Sequence, residues 1–189
     1  MIRFAKPEDG SAVMPILNQI FEEMEIEQLQ DVPQADLFQT LETLFLTEDY
    51  RYSYRRTLLQ TDTNGVIQGL AVSYPETDEA KIDAPLRPYL SQLGLTADQA
   101  LFPDKESYPG EWYLDALAVA PKYQGQGIGS QLLAALKTQV PNGYDYLSLN
   151  VDFANPGAKR LYERSGFEVS GTLMIGSHQY EHMRYALNA

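Results

Sequence analysis

The 189 residues predict one α/β domain whose sheet is mixed but mostly antiparallel, with helices on its faces. Three observations carry this. Stretches that alternate every second residue interleave with stretches of helical spacing along the chain. A hairpin is written into residues 51–74, where two strand-like runs flank Asp62-Thr63-Asn64-Gly65 and its Asn-Gly turn. Residues 111–139 pass from a strand through a glycine-rich loop directly into a helix. At 44% hydrophobic residues, a chain of this length can bury a substantial core.

In order along the chain, residues 1–6 alternate Ile2 and Phe4 with Arg3 and Ala5 and read as a first strand. Pro7-Glu8-Asp9 opens a helix to about Met24, with Val13, Ile16, Leu17, Ile20 and Phe21 on one face. Pro33 starts a second helix carrying Leu37, Leu41, Leu44 and Phe45. Between them Glu22, Glu23, Glu25 and Glu27 concentrate negative charge, either a solvated face or the lining of an acceptor site. Residues 51–60 read as a half-buried strand and 66–74 as its antiparallel partner. From 75 to 110, five prolines (75, 85, 88, 103 and 109) and several acids interrupt the passage to the next strand, with one short helical stretch at 88–95. A connection of that length in a compact domain is usually functional or disordered, and it reads here as a lid or acceptor-binding insertion. The central strand spans 112–119, and the helix after the glycines carries Leu132, Leu133, Leu136 and Val140. Another strand follows at 144–150. Asn155 as N-cap and Pro156 at the first helical position specify a short helix that ends at Gly166. Residues 167–174 and 179–187 supply two last strands.

Gly125, Gly127 and Gly129 lie where the central strand hands over to its helix. The first amides of a helix have no intrahelical partner and carry partial positive charge, and glycine removes the Cβ atoms that would keep a phosphate away. A P-loop would need a lysine after its last glycine, which is missing. A dinucleotide fingerprint fails at Ser130, although Asp152 lies about twenty residues on, so an NAD-binding oxidoreductase stays only as a weak rival. The spacing that fits is Gln124-x-x-Gly127-x-Gly129, preceded by Leu117-Ala118-Val119 and Pro121. At these residues the sequence resembles the GCN5-related N-acetyltransferase (GNAT) superfamily. Its signature is [RQ]-x-x-G-x-[GA] after a strand of this kind. A second block, Asn155-x-x-Ala158-x-x-Leu161-Tyr162-x-x-x-Gly166-Phe167, resembles a recurrent stretch of the same superfamily. Together the two blocks cover residues 111–168.

The resemblance implies a single N-acetyltransferase domain over 1–189, with about seven strands and a splayed parallel pair that binds CoA; only the 75–110 insertion, between the third and fourth strands, departs from the usual plan of that superfamily. It implies acetyl-CoA as cosubstrate. The pyrophosphate would rest on Gln124, Gly125, Gln126, Gly127, Ile128, Gly129 and Ser130, and the pantetheine would run along Leu117, Ala118 and Val119. Asn150 and Asn155 would serve the same arm. Tyr162 would reach the CoA sulfur as the acid. For the base, Asp115 is the first choice and Glu111 the second. The two-residue period of a strand puts Asp115 on the face of Leu117 and Val119; the alternative is a hydrogen-bonded structural carboxylate. The implied reaction is acetyl transfer to a primary amine, of a small molecule or a peptide N-terminus, by direct attack in a ternary complex. A chain without cysteine agrees with direct attack. The competing reading is a non-catalytic acyl-CoA sensor.

The net charge of −12 speaks against nucleic acid and for a cationic acceptor, or simply for solubility. No apolar run approaches the ~18 residues of a membrane span, and the N-terminus lacks the pattern of a signal peptide, so a cytoplasmic location is expected. His178-Gln179-Tyr180-Glu181-His182 matches a zinc-protease pattern that works only on a helix. Here it lies in a strand, where the two histidines stand roughly 13 Å apart, so no metal is expected. The last strands and the proline-rich insertion both offer surfaces for a homodimer.

Overall fold

The computed structural model describes residues 1–96 and 98–187. Among these residues seven strands form one sheet: β1 (Ile2–Phe4), β2 (Thr57–Thr61), β3 (Ile67–Pro75), β4 (Glu111–Val119), β5 (Tyr146–Asp152), β6 (Glu168–Ile175) and β7 (His178–Ala186). Their order is β1-β2-β3-β4-β5-β7-β6. Every neighbouring pair is antiparallel except β4 and β5. On one face α1 (Gly10–Met24) and α2 (Gln34–Phe45) pack against Leu59, Leu70, Val72, Ala116 and Ala118. On the other, α3 (Ile128–Gln139) and α4 (Pro156–Arg164) cover Ala71, Leu114, Leu117 and Leu149.

Two local features of β4 shape everything that follows. Its parallel ladder with β5 runs only from Glu111 opposite Tyr146 to Leu114 opposite Leu149, although both strands continue beyond that point. The pair is therefore a fork, joined at one end and open at the other. On its other side β4 carries a bulge: Ser73 faces Leu114 and Val72 faces Ala116, so Asp115 is the extra residue. A bulge breaks the alternation of faces. Tyr113 and Asp115 both reach Tyr74, whereas Leu117 and Val119 pack with Ile128 and Leu132 under α3. This corrects the expectation that Asp115 shares a face with Leu117 and Val119, because strict alternation holds only without the bulge.

The hairpin is present, and the Asp62 carboxylate accepts the amides of Asn64 and Val66, both at 2.8 Å, to close its turn. Its first strand is shorter than expected. Residues 51–53 are not in a strand, Tyr54–Arg56 is a 3₁₀ turn, and the sheet begins at Thr57. Arg51, at the start of the expected strand, instead turns its side chain inward onto Asp83 and Asp115. The insertion leaves β3 at Pro75 and returns at Glu111. Its helical stretch is a 3₁₀ helix over Ala84–Leu93, earlier than the expected 88–95, and it buries Leu86, Leu90 and Leu93. Pro85 and Pro88 within it have no amide to donate.

Candidate active site

The loop after β4 is built as an anion cradle. Gly125 (φ +73°) and Gly127 (φ +78°) adopt left-handed backbone, and a Cβ on either would meet only open space. The Gln124 side chain donates to the Val119 carbonyl (3.1 Å) and that of Gln126 to the Lys122 carbonyl (3.3 Å). Both glutamines thus brace the loop, leaving backbone amides as its donors at the N-terminus of α3. Ile128 is buried beneath them, and Ser130 lies in the first turn. Gly129 has a different reason for being glycine. A Cβ there would come within 3.1 Å of Leu161 Cδ2, so its bareness lets α3 approach α4. The cradle fits a diphosphate: it is open, glycine-lined and carries helix-end charge.

Asn155 caps α4, its Oδ1 accepting the Ala158 amide at 3.0 Å. This α4 carries Tyr162, which is buried, edge-on to Phe167, and in one apolar cluster with Leu114, Leu149 and Val151 around the fork. Burial, reinforced by the charge of Glu23, pushes the Tyr162 phenol well above the usual tyrosine range. The hydroxyl therefore keeps its proton at neutral pH.

At the apex of the fork the residues meet in a way the sequence did not announce. Asn150, the first residue of β5 beyond the last ladder pair, donates from Nδ2 to the Glu106 carbonyl (2.9 Å) and to Tyr113 Oη (3.0 Å). Its Oδ1 then faces His182 Nδ1 at 2.7 Å. Tyr113, from β4, donates to Glu106 Oε2 at 2.7 Å. Glu106 thus bridges both arms of the fork. Its own segment is held from the first limb of the insertion: the Glu79 carboxylate accepts the Glu106 amide (2.5 Å), the Ser107 amide (3.3 Å) and Ser107 Oγ (2.5 Å).

Behind Glu106 stands Arg51, with 2% of its side chain exposed. It forks onto Asp83 (Nε 3.1 Å, Nη2 2.7 Å), donates from Nη1 to Asp115 (2.5 Å) and Tyr74 Oη (2.6 Å), and lies 4.0 Å from Glu106 Oε1. Asp115 also accepts from Tyr74 Oη at 2.7 Å. The central-strand carboxylate is thus the partner of a buried guanidinium. Burial pushes the Glu106 carboxyl up to about 7, with the Asp115 charge adding to it and Arg51 only partly offsetting it. Glu111 is the opposite case. Burial works to raise it, but His182, the Tyr108 amide and Ser148 together leave it below the usual carboxylate range. With Arg184 also donating at 2.5 Å, its oxygens are occupied.

A cavity of about 240 Å³ opens beside Glu106, between the end of α1, the insertion and the β6–β7 turn. Glu25, Glu27 and Asp104 join Glu106 in its lining, with Tyr180 and Phe102 as aromatic wall. A larger cavity of about 950 Å³ lies within the insertion, and its walls mix Glu76 with Lys81, Arg87 and Lys105. Residues 101–104 line both. The two histidines of the zinc-like pattern go separate ways along β7: His178 to Asp152 (2.8 Å) and His182 to Asn150 and Glu111. Among the described residues no cluster of three potential metal ligands occurs.

Of the expected site residues, the structure gathers Leu117, Val119 and the glycine loop along one arm of the fork, with Tyr162 and Asn150 beside it. Glu106, Glu79 and Arg51 were missed. One signal for Glu106 was present: it precedes the central strand by one Pro109-Gly110 turn, which ties an acid in the insertion to the strand's start. Nothing local marks Arg51, because its partners lie 32 and 64 residues away.

Residues 17–167 match the family model described as the acetyltransferase (GNAT) family. A solved structure described as an acetyltransferase superposes with a TM-score of 0.87 at 40% identity, covering 100% of both chains. An N-acetyltransferase from Staphylococcus aureus Mu50 gives 0.84 at 27% identity, over 98% of this chain and 100% of that one. A spermine/spermidine N(1)-acetyltransferase of Bacillus subtilis (strain 168) is 37% identical over 79 residues, 39% of this chain and 51% of that protein. The chain thus spans about half the length of the curated relatives it matches. A seven-stranded mixed sheet with the parallel pair β4–β5, flanked by helices, agrees with these matches: the chain belongs to the acetyltransferase (GNAT) family.

Proposed function

We propose that this protein transfers the acetyl group of acetyl-CoA to a primary amine of a small cationic molecule, by direct attack with both substrates bound. The observation that carries the reading is the fork between β4 and β5, with a glycine-lined helix N-terminus at the end of one arm and an acidic cavity beside Glu106, which bonds to both arms. Acetyl-CoA supplies the acyl group as a thioester. The cradle from Gln124 to Ser130 holds the diphosphate. Beyond Leu114 the β5-facing side of β4 has no ladder partner, so the amides of Leu117 and Val119 on that side are open to pantetheine and to the thioester carbonyl, with Ala118, paired to Leu70 of β3, holding the strand between them. Asn155 keeps α4, and with it Tyr162, in register with the fork. Tyr162 holds its proton and offers a hydrogen bond to the departing sulfur. Asp115 serves the acceptor side by fixing Arg51.

Glu25, Glu27, Asp104 and Glu106 favour an acceptor with more than one positive charge, and the polyamine in the name of the Bacillus subtilis relative is of that chemistry. The test is a calorimetric titration with acetyl-CoA against NAD as control, followed by CoA release over a panel of amines that includes spermidine. A chain without cysteine gives no background with a thiol reagent. Micromolar binding of acetyl-CoA and turnover of spermidine are expected. Binding of NAD instead would sink the cofactor, and binding without turnover across the panel would favour a sensor.

Tyr162→Phe keeps the ring against Phe167 and removes only the hydroxyl. A hydrogen bond to a charged group is worth about 1.5–3 kcal/mol, so kcat should fall about tenfold to a hundredfold while the Kd for acetyl-CoA stays within about twofold. Steady-state kinetics and calorimetry on the one variant decide this. An unchanged kcat would remove Tyr162 from the chemistry.

A further inference from the structure

We propose that Glu106, delivered by the insertion to the apex of the fork, is the general base that takes a proton from the acceptor ammonium, and that Glu79 is the residue that positions it. This rests on the acetyl-transfer reading above. The geometry is specific: Glu106 lines the acidic cavity, touches β4 through Tyr113 and β5 through Asn150, and is pinned at its backbone by Glu79. The other two carboxylates near β4 are committed elsewhere, Asp115 to Arg51 and Tyr74, and Glu111 to four donors.

On becoming an amide nitrogen the ammonium loses two protons. Glu106 takes one and passes it to solvent, and the other ends on the CoA sulfur as the C–S bond breaks and the N–C bond forms. The charged and titratable groups around Glu106 are Arg51, Asp115, Tyr113, Tyr74, Glu79 and Tyr180, with Glu25, Glu27 and Asp104 in the lining of the same cavity. Their balance with burial leaves the carboxyl titrating at about 7, suited to a base near neutral pH.

The experiment is E106Q beside E79Q, read in three ways. First, spermidine turnover by E106Q should fall about a hundredfold to ten-thousandfold while the Kd for acetyl-CoA holds. The rise of kcat with pH through about 7 should vanish with it. Second, E79Q should move that rise to lower pH, because the Glu79 charge helps to raise Glu106, with the KM for acetyl-CoA unchanged. Third, melting without any ligand gives a measure independent of turnover. A carboxyl raised from its ordinary 4.5 to about 7 contributes stability that is full below about 4.5 and lost as pH rises through about 7. E106Q escapes that loss, so between pH 5 and pH 8 its melting temperature should gain on the native protein by about 5 °C or more.

Native turnover with an unaltered E106Q rate and pH profile would overturn the base. A failed melting gain would overturn the buried, titrating Glu106 whatever the kinetics. No turnover by the native protein on any amine would instead overturn the acetyl-transfer reading.

Discussion

Gly127→Val lowers the affinity for acetyl-CoA by about a hundredfold or more while the chain still folds. The folded protein has room for the new side chain, since a Cβ at residue 127 meets nothing within 4 Å. Its cost to stability is the left-handed backbone at φ +78°, about 1–3 kcal/mol for a residue with a Cβ. The cost to binding is larger. The open space is where a phosphate must approach the amides, and losing two charge-assisted hydrogen bonds at about 1.5–3 kcal/mol each is worth a hundredfold or more. Calorimetry with acetyl-CoA, alongside a melting curve, separates the two effects. Unchanged affinity in a folded variant would displace the diphosphate from this loop. Gly129 would not make the same test, because a side chain there strikes Leu161 and disturbs the packing of α3 on α4 before any ligand is considered.

The second large effect lies at the buried guanidinium of Arg51. Arg51→Met should destabilise the protein by about 3–5 kcal/mol, the cost of leaving buried carboxylates without their cation. At about 2–4 °C per kcal/mol for a chain of this size, the melting temperature falls by roughly 10 °C. Methionine fills most of the volume and can pack on Phe102, over whose ring the guanidinium now lies at 4.6 Å, so the loss is mainly electrostatic. Its sign with pH follows. Without Arg51, Asp83 and Glu106, already raised by burial, gain by binding protons in the folded state, so the deficit is largest at pH 8 and shrinks toward pH 5. Denaturant titrations of native and variant protein at the two pH values check this. A deficit below about 1 kcal/mol, or one that grows with acidity, would mean that Arg51 is not the charge holding these acids together. Arg51→Lys should rescue little, because an ammonium cannot reproduce the two-pronged contact with Asp83.

Both variants probe parts of the molecule that differ in how far they could be read in advance. The glycine loop, the Asn155 cap and the Gly166 stop are local devices. Each works through dihedral preferences and hydrogen bonds within a few residues, so the order of letters carries the information. The same holds for the Asp62-Thr63-Asn64-Gly65 turn, where the Asp62 side chain closes its own loop. The acceptor side is different. Strand periodicity puts Asp115 on the face of Leu117 and Val119, and one bulge residue opposite Val72 and Ser73 reverses that face. Alternation cannot reveal a bulge, because a bulge is a property of two paired strands.

The family and the order of strands and helices were legible in the chain itself, as were the glycines at the start of α3 and the Asn155 cap that sets α4, because these rest on backbone conformations that neighbouring residues dictate. Tertiary structure alone decided which carboxylate stands at the apex of the fork. It did so by bringing Arg51, Glu79, Glu106, Asp115 and Asn150 from five separate segments into one network of hydrogen bonds and ion pairs. There, desolvation and the charges of distant neighbours, which no local pattern records, set what each acid can do.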